Sequence, residues 1–143
     1  MNISRETDYA LRIVLFLSSK GMDGKVGANE VAQRMELPER FNLKILRKLT
    51  AEGITKSYRG IYGGYAIAKP AKEITMLEVI EAIEGKIALN RCLRNEAFCT
   101  KNFTEVCPVH HQFDIVNGIV SNYFASVNFQ ELVDDLKKKN VEL

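Results

Sequence analysis

The sequence contains no apolar run of the roughly 18 residues that a membrane-spanning helix needs. Its first residues, MNISRETDYALRI, carry charges where a secretory signal peptide has its apolar stretch. Cysteine is scarce, and the count of three is odd, which argues against a secreted framework of disulfide bonds. From these absences we expect a cytoplasmic protein with no membrane partner.

The motifs of common enzyme classes are missing as well. The chain has no GxSxG nucleophile elbow, no phosphate-binding P-loop and no GxGxxG fingerprint. A nucleophile pair made of Cys107 and His110 is conceivable, but nothing else in the sequence marks a substrate pocket. We therefore predict that the protein is not an enzyme.

What the sequence does contain is the composition of a globular domain. Its 143 residues are 46% hydrophobic and carry a formal net charge of +2, and a chain of this length can bury a core without disulfide or metal staples. Residues 1–69 hold 12 Lys and Arg against 7 Asp and Glu, whereas residues 70–143 hold 8 against 11. This asymmetry suggests one surface for a polyanion and another for a different task.

Apolar spacing predicts three helices in the basic half, over residues 4–19, 27–35 and 39–52. The turn sequence Leu37-Pro38-Glu39 separates the second helix from the third. A short helix, a tight turn and a basic amphipathic helix follow one another in a helix-turn-helix. The third helix is expected to expose its basic residues and to bury an apolar stripe made of Phe41, Ile45, Leu46 and Leu49.

Two β-prone runs, 54–58 and 65–67, flank a glycine-rich segment and predict a hairpin. Such a hairpin can serve as a wing that carries Arg59 to the DNA backbone or the minor groove, while the third helix enters the major groove. Taken singly, the basic residues also fit an ordinary solvated helix face. The predicted DNA-binding residues are Glu39, Arg40, Asn42 and Leu43 in the groove, Lys44 and Arg47 on phosphates, and Arg59, Gly60 and Tyr62 in the wing.

The acidic half predicts three further helices. One follows a capping sequence at Thr75 and ends at Gly85, a long one begins near Pro108, and a short one follows Asn128. The long helix carries more apolar surface than a lone helix leaves in water, so we expect it to pack on another subunit. Its apolar positions are Phe113, Val116, Val120, Phe124 and Val127.

The predicted fold is mainly α with a small β-hairpin, arranged as a winged helix-turn-helix domain plus a long C-terminal dimerisation helix. We expect the DNA-binding domain over residues 1–84, with the first helix shared with the dimer interface. A cysteine-rich loop follows over 85–108, and the dimerisation helix and the C-terminal helix occupy 109–143.

The cysteines lie in an aperiodic segment as Cys92-x6-Cys99-x7-Cys107, with His110 three residues further on. Three thiolates within this segment can converge on a soft metal, and the CxxH spacing lets His110 join them. The CxxC knuckles of structural zinc are missing, and wide, uneven spacing suits an iron–sulfur cluster better. Spacing alone leaves buried thiols and a reversible disulfide open. Asp8 is a further candidate ligand, although its place in the first helical turn is also explained by the helix dipole.

Together these motifs resemble the Rrf2 family of winged-helix transcriptional regulators. The resemblance spans nearly the whole chain and rests on the helix-turn-helix, TDYALR at 7–12, RGIYGGY at 59–65, Ala68-Lys69-Pro70 and the three cysteines. It implies a homodimer that binds palindromic, double-stranded promoter DNA, with the helix over 108–127 at the dimer interface.

The same resemblance implies a 2Fe-2S or 4Fe-4S cluster ligated by Cys92, Cys99 and Cys107. His110 matches the fourth ligand of IscR-like members, whereas Asp8 matches the aspartate that NsrR-like members supply from the partner subunit, and we favour His110. We therefore expect a regulator, most simply a repressor, that senses redox state, nitric oxide or iron status. A metal-free thiol–disulfide switch of the same fold and an interaction or metal-carrier module that binds no DNA are the alternatives.

Overall fold

A computed structural model describes residues 2–143, which form a mainly helical chain with a small antiparallel sheet, as predicted. The predicted helix boundaries agree with the observed ones to within about one residue, the usual spread between assignments. The helices are α1 (Arg5–Lys20), α2 (Ala28–Arg34), α3 (Glu39–Ala51), α4 (Met76–Glu84), α5 (Arg91–Arg94), α6 (Pro108–Ser126) and α7 (Phe129–Lys138), and the strands are β1 (Thr55–Tyr58) and β2 (Gly64–Ile67).

Polar caps and glycines explain where the longer helices begin and end. The side chains of Ser4, Thr75 and Asn128 accept hydrogen bonds from backbone N–H groups in the first turns of α1, α4 and α7. Gly21 and Gly85 end α1 and α4 with φ of 78° and 76°, a conformation that side-chain-bearing residues rarely adopt.

The core surrounds α1, which packs against α3, α4 and α7. Phe16 of α1 and Phe129 of α7 are the largest fully buried side chains, and Leu46 of α3 is buried with them. The prediction for Phe41 is wrong, because this residue is 44% exposed and its ring packs edge-on against that of Tyr9 at a centroid distance of 6.3 Å. The side chains that α3 buries are Asn42, Ile45, Leu46 and Leu49.

The wing is a hairpin with an additional bridge. Strands β1 and β2 pair antiparallel, with Tyr58 opposite Gly64, and Val26 pairs with Tyr65 through two backbone hydrogen bonds of 2.8 Å. A Cβ atom on Gly64 would lie 2.6 Å from the carbonyl oxygen of Val26. Only glycine therefore allows this close approach of the two backbones.

The segment between α4 and α6 is more ordered than its lack of periodicity predicts. It contains α5 and two single turns of 3-10 helix, at Glu96–Phe98 and Thr104–Val106. Helix α6 packs on α4 and α5 but buries none of its side chains fully, and Ile119 and Tyr123 are 63% and 65% exposed. Within residues 2–143, no helix has the length and apolarity required to cross a membrane.

Candidate functional site

The outer face of α3 carries most of the predicted groove residues. Glu39, Arg40, Leu43, Lys44 and Arg47 are all exposed, because the opposite side of the helix faces the core at residues 42, 45, 46 and 49. A single helix with this exposed polar and basic face has the dimensions to enter a DNA major groove.

Asn42 is not available for DNA, which corrects the prediction for this residue. It is 1% exposed, and its Nδ2 donates a hydrogen bond of 2.8 Å to the carbonyl oxygen of Ala28 in the first turn of α2. Within the described residues its Oδ1 has no hydrogen-bond partner. Asn42 therefore links the two helices of the helix-turn-helix from inside and takes the core position that the sequence suggested for Phe41.

Glu6 of α1 binds two cations of α3. Its carboxylate lies 2.7 Å from Nζ of Lys48 and 3.5 Å from Nζ of Lys44. The hydrogen bond from Lys48 holds the pKa of Glu6 below its ordinary value. The contact partly neutralises Lys44, a predicted phosphate ligand, and no pattern in the sequence indicated it.

The wing tip projects into solvent. Arg59 and Gly60 are exposed, Tyr62 is 83% exposed, and a hydrogen bond of 2.9 Å from Gly63 N to Gly60 O closes the turn. Gly60 has a φ of 96°, which favours glycine at this position. The tip therefore presents Arg59 and Tyr62 on a short, well-defined turn.

Two of the three cysteines lie beside His110. Nδ1 of His110 is 3.2 Å from Sγ of Cys92, and Sγ of Cys107 accepts a hydrogen bond of 3.4 Å from the backbone N–H of His110. Cys107 is thus the N-cap of α6. Helix α5 supplies Cys92, and its packing on α6 brings this thiol to the imidazole, while Cys107 contacts the backbone of the same residue.

Cys99 has a separate environment. Backbone N–H groups of Phe103, Lys101 and Asn102 lower the pKa of its thiol, and Asn102 adopts a φ of 54° as the chain turns back toward the sulfur. A thiol with a lowered pKa is more often present as the thiolate, the form that binds metals and reacts with oxidants.

The donor chemistry fits a soft metal centre, since one short segment offers three thiols and an imidazole. The geometry joins Cys92, Cys107 and His110 through pairwise contacts. Across residues 2–143, no group of three or more His, Cys, Asp or Glu side chains is arranged to hold a metal ion. Asp8 forms an ion pair of 2.6 Å with Arg12 on the surface of α1.

Two further polar contacts anchor the cysteine segment. The side chain of Asn117 in α6 accepts a hydrogen bond of 3.0 Å from Leu89 N and donates one of 3.0 Å to Ile87 O. The carboxylate of Glu84 accepts hydrogen bonds from Ser4 N at 3.0 Å and from Thr7 Oγ1 at 2.6 Å, which tie the end of α4 to the start of α1. Sequence analysis missed both, because they join positions far apart in the chain.

Comparison with known proteins gives the relatives of this chain. The family model Rrf2, described as an iron-dependent transcriptional regulator, matches residues 3–135. A transcriptional regulator of Oceanobacillus iheyensis, NsrR, is 27% identical over 144 residues, covering 100% of this chain and 94% of its own.

Two solved structures share the fold. CymR, the global cysteine regulator of B. subtilis, superimposes with a TM-score of 0.76 at 26% identity, covering 94% of this chain and 97% of its own. IscR from T. potens superimposes with a TM-score of 0.74 at 18% identity, covering 100% of this chain and 93% of its own.

Proposed function

Because the chain belongs to the Rrf2 family of transcriptional regulators, we propose that it acts as a homodimer on palindromic promoter DNA and senses its signal through an iron–sulfur cluster. The family assignment confirms the predictions that it is a winged-helix DNA-binding regulator and not an enzyme. Binding to promoter DNA implies a cytoplasmic location. Most simply, the bound dimer represses by occupying the promoter.

The exposed face of α3 beside the wing is the observation that supports DNA binding. Arg40 and Arg47 are exposed and, within residues 2–143, take part in no salt bridge. We assign Glu39, Arg40 and Leu43 to the major groove and Lys44 and Arg47 to phosphates. Arg59, Gly60 and Tyr62 contact the DNA from the wing.

The homodimer is supported by the apolar side chains that α6 leaves exposed. Phe113, Val116, Ile119 and Tyr123 are between 37% and 65% exposed along one 19-residue helix. A second copy would bury these side chains and remove them from water. A two-fold dimer also presents two copies of α3, which a palindromic operator requires.

The cluster part is supported by the contacts of His110 with Cys92 and Cys107. We propose that Cys92, Cys99 and Cys107 hold the cluster and that His110 is the fourth ligand, because it already lies beside two of them. Asp8 of the partner subunit is the other candidate. When bound, a 2Fe-2S or 4Fe-4S cluster supplies a centre that reacts with oxidants and nitric oxide.

The metal-free thiol–disulfide switch has one observation in its favour. Nδ1 of His110 lies 3.2 Å from Cys92 Sγ, the arrangement of a cysteine beside a general base. Oxidation of Cys92 with a second cysteine of the segment would release two electrons and two protons to an oxidant, and no metal would be needed. Redox-dependent DNA binding by iron-free protein would select this alternative.

The deciding experiment is to purify the protein without oxygen, record its visible absorption and measure iron and sulfide. We expect charge-transfer bands and iron and sulfide in comparable amounts. Protein that stays colourless and iron-free after anaerobic reconstitution would refute the cluster.

The ligands are tested by substitution. Ser at Cys92, Cys99 or Cys107 is expected to abolish the bands. His110→Ala is expected to alter the spectrum, whereas His111→Ala, the control at the neighbouring residue, should leave it unchanged. A spectrum that is altered by Asp8→Asn and not by His110→Ala would assign the fourth ligand to Asp8. DNA binding is tested in parallel by selection from a random-sequence duplex pool, which should yield a palindrome.

A further inference from the structure

One face of the wing sheet gathers positive charge around a single aromatic ring. Nζ of Lys25 lies 5.2 Å from the centroid of the Tyr58 ring, and Nζ of Lys56 lies 5.6 Å from it. Both distances fall within the ~6 Å at which an aromatic ring attracts a cation. Tyr58 is the last residue of β1 and directly precedes Arg59 of the wing tip.

The register of the sheet explains how lysines from two separate segments reach one ring. Lys56 and Tyr58 are two residues apart in β1, so they point to the same face. Lys25 precedes Val26, which pairs with Tyr65 on the far side of β2, so the Lys25 side chain crosses β2 to reach Tyr58. The residues of β2 opposite Tyr58 and Lys56 are Gly64 and Ala66, whose small size leaves room for it.

Within residues 2–143, no carboxylate forms a salt bridge with the two lysines of this face. Residues 53–72 contain four Lys and Arg and no Asp or Glu. Lys69 among them is paired with Glu78 at 2.6 Å, but within the described residues neither Lys25 nor Lys56 takes part in a salt bridge. Two uncompensated cations beside Arg59 fit a polyanion rather than an acidic side chain of the same protein.

We propose that Lys25 and Lys56, oriented by the Tyr58 ring, bind the phosphate backbone of duplex DNA beside the wing. This inference rests on the proposed DNA-binding function and extends it to residues outside α3 and the wing tip. Tyr58 directly precedes Arg59, so the two lysines lie next to the wing tip. Lysines held against a ring lose less freedom on meeting a phosphate than free ones do, which strengthens the contact.

The test is the salt dependence of binding to a short mixed-sequence DNA duplex, followed by fluorescence anisotropy. Each phosphate contact contributes about 0.9 to the slope of log affinity against log salt concentration. Lys25→Gln and Lys56→Gln are therefore each expected to lower the slope by about 0.9. Lys138→Gln, which makes the same charge change at the exposed end of α7, is the matched control and should leave the slope unchanged.

Tyr58→Leu keeps every charge and tests the ring. We expect it to weaken binding about two- to tenfold, the cost of immobilising one lysine side chain that the ring no longer orients, while circular dichroism shows a folded protein. If the slopes for Lys25→Gln and Lys56→Gln equal the slope for Lys138→Gln, the proposal is overturned. If Tyr58→Leu binds DNA with unchanged affinity, the Tyr58 ring does not orient the lysines. Wild-type protein that binds no duplex at any salt concentration would instead refute the proposed function.

Discussion

Replacing Asn42 by leucine tests the interior of the helix-turn-helix. The substitution removes one buried hydrogen bond, to Ala28 O, with a net contribution of about 1 kcal/mol. It also removes a buried amide oxygen that has no partner within residues 2–143, whose desolvation costs about 1–3 kcal/mol. The carbonyl oxygen of Ala28 lies in the first turn of α2 and still accepts the backbone hydrogen bond of that helix, so the substitution does not leave it unpaired. The balance favours leucine by about 1 kcal/mol, if α3 accommodates the larger side chain.

The assay is thermal and urea unfolding at one fixed protein concentration, because the stability of the proposed dimer would depend on concentration. Asn42→Leu should raise the melting temperature by about 4 °C. Asn42→Asp, which buries a charge beside a carbonyl oxygen, should lower the free energy of unfolding by about 3 kcal/mol or more. DNA affinity of the leucine variant should stay within about twofold of wild type, because residue 42 faces the core. Destabilisation by leucine would refute this balance of terms, and loss of DNA binding by a folded variant would refute the assignment of Asn42 to the interior.

Three other substitutions test the contacts around this domain. Glu84→Gln should lower the free energy of unfolding by about 1 kcal/mol at neutral pH, discounted for the exposure of this residue. Hydrogen bonds from Ser4 and Thr7 lower the pKa of Glu84 below its ordinary 4.5, so its contribution is complete above that pH and disappears as the pH falls through the folded-state pKa; a difference from wild type that persists in acid would contradict this. Gly64→Ala should separate β2 from Val26 and speed amide exchange at Tyr65, whereas Gly27→Ala, with no atom within 4 Å of its Cβ position, should not. Glu6→Gln should free Lys44 and Lys48 and steepen the salt dependence of DNA binding by up to about 0.9 per released cation, and an unchanged slope would show that neither lysine reaches DNA.

The helices were predictable because their signals are local. Ser4, Thr75 and Asn128 cap helices, glycines end two of them, and the 3.6-residue period selects the buried faces. The same logic failed at residues 41 and 42. Hydrophobicity favours Phe41 for the core, but the geometry of α3 turns residue 42 inward, and the carbonyl oxygen of Ala28 satisfies one end of its amide. A polar residue in a core position can be recognised only when its partner is known.

The contacts of the candidate site were less predictable because they are not local. Val26 joins the wing as a single bridged residue, too short for a strand pattern. Helix α5 has four residues and lies in a segment without periodicity, yet its packing on α6 decides that Cys92 rather than Cys99 meets His110. Spacing identified the four candidate ligands and could not show which of them lie close together.

Two side chains, Glu84 and Asn117, anchor the start of the cysteine segment to neighbouring helices. Glu84 fixes the end of α4 to α1, and Asn117 fixes residues 87–89 to α6. Cys92 follows only three residues after Leu89, so a displacement of Cys92 has little free chain in which to dissipate. If ligation or oxidation moves Cys92, its contact with His110 carries the displacement to α6, the helix that would set the separation of two α3 helices in the proposed dimer. The contact between Cys92 and α6 therefore supports the proposal that the signal changes the spacing of the recognition helices.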